Sequence, residues 1–319
     1  MGTGSFVFAL MPKAFQPKPL MDFNVITEMT PEGRKLAPPS PEHPVYYVAQ
    51  GGAFVRTGSA LSGGEKPPPV ADLAKAMERA LAMNGYLPGL PPEHRPGLVV
   101  IFTYGSHGAD YAEGLALAVD KNGNPIEGPP PVTAEELLTF VVHDTALQAD
   151  LLERAALMGG KAFAADLKRA LAGEILNVQT NYDSGQQFLP ESPAFGAPIH
   201  TFIENNGPLV SHLVEEAFHS CYFVVASAYD YAAVGQGKKR LLWRTKMTVD
   251  AQGVNMQETL VPLITSAAPY FGKDMTEAAV TTKRISREGR VEIGTPTVVE
   301  DKPAPKNAEP ANQPTPKAP

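Results

Sequence analysis

The sequence predicts an α+β fold, with a mixed or mainly antiparallel sheet of about four to six strands, helices on one face and a helical insertion. Strand alternation is the first observation: apolar residues occupy one side of segment 241–249, at Leu241, Trp243, Met247 and Val249. The polar side holds Arg240, Arg244, Lys246 and Thr248. The second observation is that segments with helical periodicity alternate with strand-like segments along most of the chain. Since 43% of the residues are hydrophobic, the chain has enough apolar side chains for a core.

The first elements surround a proline-rich beginning. Residues 1–44 are predicted to be an N-terminal arm, because five prolines between positions 31 and 44 interrupt regular pairing. A single domain over 45–299 then begins with a strand at 45–50 and a helix at 70–84, which Gly85 ends. The apolar segment 97–104 follows and is predicted to be a central strand.

The helical insertion is predicted over residues 109–208. Thr133 and Glu136 have the spacing of a capping box, which predicts a long helix over 134–158. A second helix is expected at 161–176. Segment 177–208 is rich in turn formers and is predicted to be a long surface loop, a feature that is often functional.

The last third of the domain combines hairpins with helices. A helix at 209–219 leads into a hairpin of strands 221–230 and 241–249, turning at Gly235-Gln236-Gly237. Asn255 and Glu258 have cap spacing for the final helix, and Pro262 is expected to kink that helix or delay its start. A weaker hairpin is expected over 280–286 and 290–299. The proline-rich tail, 300–319, is predicted to be disordered.

Composition excludes several classes of protein. A formal net charge of −7 argues against a general polyanion binder. The single cysteine, Cys221, has no partner for an internal disulfide and is expected to be a buried thiol. No segment approaches about eighteen consecutive apolar residues, so no transmembrane span is predicted. The first twenty residues also lack the pattern of a secretory signal.

One candidate ligand-binding site follows the central strand. The segment Tyr104-Gly-Ser106-His107-Gly-Ala-Asp110 is expected to form a loop, and loops at strand ends commonly bind ligands. We select its four polar side chains as ligand contacts, with a purely structural loop as the alternative. A hydrolytic site is the third interpretation, although the G-x-S-x-G motif is absent.

A candidate metal site lies on the predicted helix 209–219. His212, Glu216 and His219 fall on one side of that helix, and Glu216-x-x-His219 has the spacing seen in di-iron bundles. The chain has no second Glu-x-x-His and no H-E-x-x-H motif. An exposed helix face is therefore the alternative, and no cofactor is predicted.

The polar side of the second hairpin strand is a candidate anion-binding surface. Arg240, Arg244 and Lys246 predict a basic strand face that binds an anionic polymer or a lipid surface. The alternative is a solvated face whose lysines protect a sheet edge from aggregation. Trp243 falls on the apolar side and is expected in the core.

Four segments together resemble bacterial cell-envelope domains of unknown function, of the type found in lipoproteins. They are Asn84-Gly85-Tyr86, segment 98–104, Leu241-Leu242-Trp243-Arg244 and segment 255–271. The resemblance covers about half of the chain and implies an envelope location without implying any catalytic residue. The chain departs from it by its insertion and by lacking a lipoprotein signal.

These observations favour a non-enzymatic envelope or secreted protein with a binding or structural role. The expected location is periplasmic, envelope-associated or secreted, and the expected partner is an envelope protein or a polysaccharide rather than nucleic acid. One alternative is a hydrolase or metal-dependent enzyme with its site near the 104–110 loop and the 212–219 helix. The other is the anion binder described above.

Overall fold

In the computed structural model, seven strands form one mixed sheet. The structure describes residues 16, 18–58, 61, 66–109, 133–142, 144–183 and 197–286. It describes the side chains of these residues except those of 136, 140, 178 and 180–183. The strands are β1 Leu20–Met29, β2 Val45–Gly58, β3 Tyr86–Pro88, β4 Leu98–Gly108, β5 Cys221–Asp230, β6 Leu241–Asp250 and β7 Ala279–Arg284. Their order across the sheet is β3-β2-β4-β5-β6-β1-β7. Strand β2 runs parallel to β3 and β4, and the other neighbouring pairs are antiparallel.

Seven helices accompany the sheet in the described part of the chain. They are α1 Val70–Ala82, α2 Ala134–Val141, α3 Thr145–Met158, α4 Gly160–Asp183, α5 Ala197–Ala217, the short α6 Tyr231–Gly235 and α7 Met256–Ala267. The α+β class is therefore confirmed. The expected count of four to six strands is too low, because β1 and β3 were not anticipated.

Helices cover both faces of the sheet, whereas the hairpin pattern predicted that one face lies in water. Helices α1 and α7 pack together over an apolar core that includes Tyr86, Trp243 and Phe271. The insertion, α2–α5, covers the opposite face and forms a second apolar core with Ile26 of β1. Lys246 lies on that second face, since it is an odd number of residues from Trp243, and its side chain is buried.

The predicted arm over residues 1–44 is wrong between Leu20 and Met29. These residues form β1, which is hydrogen-bonded to β6 on one side and to β7 on the other. Met21, Phe23 and Val25 point into the core beneath α7, so the strand has the alternation of a buried sheet element. Prolines do follow it, between residues 31 and 44, where no strand forms.

The insertion is more helical than predicted. The long helix expected over 134–158 is broken, because the Asp144 side chain accepts hydrogen bonds from the N–H groups of Ala146 and Leu147 and begins α3. The loop expected over 177–208 is wrong in its described parts, which belong to α4 and α5. Helix α5 is interrupted at Gly207, whose φ of 74° is left-handed, directly before Pro208.

Local signals were reliable near the C-terminal end of the domain. The capping box of Asn255 and Glu258 is present, and α7 begins at Met256 with Pro262 inside it. The tight turn expected at residues 235–237 is preceded by the one-turn helix α6, which Asp230 caps. Strand β7 pairs with β1, and the second strand expected at 290–299 lies outside the described residues, as does the tail.

Candidate ligand-binding cavity

The ligand-binding loop predicted after Tyr104 is part of a strand. Strand β4 continues to Gly108 and is paired with β2 and with β5 over this segment, so its backbone is committed to the sheet. Tyr104 and Ser106 are buried on the α1–α7 side, while His107 faces the insertion. Adjacent strand residues point to opposite faces, so Ser106 and His107 do not form a nucleophile–base pair. Asp110 lies outside the described residues.

His107 belongs to a buried polar group between the sheet and α3. Its Nε2 lies 3.5 Å from Asp150 Oδ1, and Arg154 Nε lies 3.5 Å from the other oxygen of the same carboxylate. Arg154 is fully buried and donates to the His219 carbonyl at 3.1 Å. Burial, reinforced by the Arg154 charge, lowers the pKa of His107. This group therefore favours a neutral imidazole and ties α3 to the start of β5.

Cys221 lies directly opposite His107 across the β4–β5 pair, and its thiol is buried as expected. Burial raises the pKa of Cys221 to about 12, with a smaller opposing effect from Arg154. A thiol with that pKa has almost no thiolate at neutral pH, and the thiolate is the nucleophilic form. The environment of Cys221 is that of a structural cysteine.

The three candidate metal ligands are not arranged as a metal site. Helix α5 ends at Ala217, so exposed His219 lies beyond it, and its Nδ1 contacts the Glu215 carbonyl oxygen at 2.8 Å. His212 and Glu216 are partly buried within α5. Within the described ranges, no group of three His, Cys, Asp or Glu side chains is placed to hold a metal ion.

The insertion covers Lys246, one of the three residues of the predicted basic strand face. The Lys246 ammonium is buried, lies 3.0 Å from Glu28 Oε2 and donates to the Ala156 carbonyl at 2.6 Å. Burial lowers the pKa of Lys246, although the Glu28 charge opposes that effect. Arg244 is partly buried and donates to Ser227 Oγ. Lys246 and Arg244 thus pair internally, whereas Arg240 is exposed and lies 3.5 Å from Asp230, so the strand lacks the continuous basic face that its alternation predicted.

A concave site lies elsewhere among the described residues, where the chain after β1 passes over the end of the apolar core. This cavity has a volume of about 510 Å³. Its wall is mainly apolar and is formed by Met29, Leu36, Ala37, Pro38, Pro39, Val45, Tyr86, Leu98, Leu242 and Trp243. Glycines at 33, 97 and 272 complete the wall. This size and composition are typical of sites for small molecules.

Two buried aromatic side chains, Tyr86 and Trp243, line the cavity. The Trp243 ring lies 5.5 Å from Tyr86 and 6.2 Å from Phe271, centroid to centroid. Burial raises the pKa of Tyr86 to about 12, against a smaller lowering by the Trp243 indole. Gly272 has a φ of +66°, and an added Cβ there would lie 2.7 Å from Tyr86 Cζ. A glycine is therefore needed for the chain to pass this close to the aromatic group.

Four charged residues complete the lining: Arg34, Asp230, Lys273 and Asp274. Arg34 Nε donates to Asp274 Oδ2 at 2.6 Å, and the pKa of Asp274 is lowered chiefly by this bond. Asp274 Oδ1 also accepts from the Met29 N–H. Asp230 accepts from the Ala233 N–H and lies 3.5 Å from Arg240. Exposed Lys273 has no ion-pair partner among the described residues.

Sequence reasoning missed this site because its wall comes from five separate segments. Residues near 29–45, 86, 98, 230–242 and 272–274 meet only through the order of the strands. Of these residues, Trp243 is predicted to lie in the core by strand alternation, which is its position. No local motif marks Arg34 or Lys273.

The chain matches no protein-family model, and none of the curated proteins matches it. None of the helices in the described ranges has the length and apolarity required to cross a lipid bilayer.

Proposed function

We propose that this chain is a non-enzymatic binding protein whose site is the cavity beside Trp243. The carrying observation is an apolar space of about 510 Å³ with a few charged groups at its edge. Such a cavity removes most of the surface of a small apolar ligand from water, which is the main source of its affinity. The buried and mutually packed rings of Tyr86 and Trp243 support the proposal, because a preformed wall lowers the cost of ordering side chains on binding.

The test uses N-phenylnaphthylamine, an uncharged apolar dye, as the probe. The chain has one tryptophan, so energy transfer from Trp243 to bound dye reports binding close to the cavity. We expect saturable binding with energy transfer. Val45→Phe places a larger side chain in the cavity wall and should weaken binding at least several-fold.

The matched control is Leu176→Phe, which adds a ring at an exposed position of α4 away from the cavity. This variant should bind the dye as the unaltered protein does. Both variants must retain cooperative thermal unfolding, since loss of the native fold would also change binding of the dye. Equal binding by the Val45→Phe variant, or bound dye without energy transfer, would reject the cavity as the site.

An envelope or secreted location is proposed with this function. The support is the resemblance of segments 84–86, 98–104, 241–244 and 255–271 to envelope domains. Fractionation of the source cells tests it, and recovery of the protein solely from the cytosol would contradict it.

A further inference from the structure

We infer that the cavity selects an amphipathic ligand with an apolar body and one anionic head group. This inference rests on the proposed function and concerns only the charge of the ligand. Its basis is the state of the four charged residues that line the cavity. Each of them either already has an opposite charge beside it or is available to a ligand.

Both lining carboxylates are committed within the protein. Asp274 is held by Arg34 and by the Met29 N–H, and Asp230 caps α6 and lies beside Arg240. A cationic head group would have to displace Arg34 or share an oxygen that already accepts hydrogen bonds. The same Arg34–Asp274 pair leaves little positive charge on the Arg34 side of the cavity.

Lys273 is the lining cation that has no ion-pair partner in the described part of the chain. It also lines a second cavity, of about 470 Å³, which shares Pro39 with the first. Polar residues Ser40 and Asn84 contribute to that second wall. A ligand whose apolar body fills the first cavity would thus place its head beside Lys273, where the wall becomes more polar.

The overall charge of the protein does not account for an anion preference. A formal net charge of −7 repels anions at long range. Selection of an anion must therefore come from a local cation. An ammonium group is a compact charge that pairs with a carboxylate or with a phosphate, so the shared chemistry is the anionic head.

The experiment compares four ligands with the same ten-carbon alkyl chain: undecanoate, decyl phosphate, decanol and decylammonium. Each ligand is added at neutral pH to protein with bound N-phenylnaphthylamine, below the concentration at which that ligand aggregates. The displacement of the dye is then measured. We expect the two anions to bind about two- to fivefold more tightly than decanol, which is the effect of one exposed ion pair. Decylammonium should bind most weakly. The ratio of anion to alcohol affinity should fall as salt is added.

Lys273→Met keeps the length of the side chain without its charge and should bring the ratio of anion to alcohol affinity to about one. Lys273→Arg should restore the preference. Lys35→Met is the matched control, because Lys35 is an exposed neighbouring lysine that does not line either cavity. Comparing the same affinity ratio in each variant cancels the difference in aqueous solubility between the two ligands.

Each outcome distinguishes the inference from the proposed function. Equal affinity for undecanoate, decyl phosphate and decanol would overturn the inference and leave the cavity as an apolar binding site. An anion preference that survives Lys273→Met would also overturn it. Failure of all four ligands to displace the dye would contradict the proposed function itself. A preference for one anion over the other would identify the head group.

Discussion

His107 illustrates how burial changes the chemistry of a single residue in this protein. Its position after an apolar segment suggested a ligand-binding loop, yet it is 3% exposed between β4 and α3. Burial is the largest effect on its pKa, and the Arg154 charge acts in the same direction. The charges of Asp150 and Glu153 oppose it without reversing it. The folded protein therefore binds a proton at His107 less readily than the unfolded chain does.

This difference predicts a pH dependence of stability. The unfolded chain takes up the proton near the ordinary pKa of 6.5, while the lowered pKa keeps the folded state neutral. The free energy of unfolding should consequently fall as the pH drops below 6.5 toward the folded pKa. His107→Gln should reduce the slope in this window, measured by urea unfolding between about pH 7.5 and pH 5.

His43→Gln provides the control for that measurement, because His43 is exposed in the turn before β2. The control should keep the slope of the unaltered protein. Matching slopes for the His107→Gln variant and the unaltered protein, with both folding cooperatively at neutral pH, would show that His107 is not the group responsible.

At the level of elements, local signals predicted ends of helices and failed where two interpretations competed. Asn255 and Glu258 correctly marked the start of α7, because a capping box is formed within four consecutive residues. Asp144 lies inside the long helix predicted over 134–158, although an aspartate is also a favoured cap. Segment 20–29 has the alternation of a strand, but the prolines after it favoured the interpretation as an arm.

The candidate site was less predictable than the elements. Trp243 was placed in the core by alternation alone, since that pattern is local. The proximity of Arg34 to Asp274 depends on the chain after β1 crossing the end of the sheet, because the two partners are 240 positions apart in the sequence. The same holds for Lys273, whose neighbours follow from the order of β1, β6 and β4. Local patterns in a single sequence do not reveal contacts that depend on the order of distant strands.

The Asp144 cap gives a prediction for one element. Asp144→Ala removes the acceptor for the Ala146 and Leu147 N–H groups and should lower the free energy of unfolding by about 1 kcal/mol. Asp144→Asn retains an accepting oxygen and should recover most of the loss. Chemical denaturation measures both variants. An unchanged stability of the Asp144→Ala variant would mean that the break between α2 and α3 does not depend on this side chain.

Across the whole molecule, the two helical layers rest on chemically different faces of the same sheet. Under α1 and α7 the sheet presents apolar Val25, Val224 and Met247, and the buried Thr27 and Thr245 hydroxyls on that face are hydrogen-bonded to each other. The insertion instead covers buried Asn24 and Thr248, which are cross-strand neighbours. Neither the Asn24 amide nor the Thr248 hydroxyl has a hydrogen-bond partner among the described residues. Buried polar groups without partners reduce the stability of the surface that covers them.

The insertion should therefore open more easily than the rest of the fold. Amide hydrogen exchange in low concentrations of urea should give α3, α4 and α5 a smaller opening free energy than α7 and the central strands β4–β6. Thr248→Val keeps the shape of the side chain and removes the hydroxyl, so it should raise the opening free energy of α3 by about 1 kcal/mol. If the effect is confined to the insertion face, the same substitution should leave the difference in opening free energy between α7 and β5 unchanged. Identical opening free energies for α3 and α7 in the unaltered protein would show that the two layers unfold as one unit despite their different contacts.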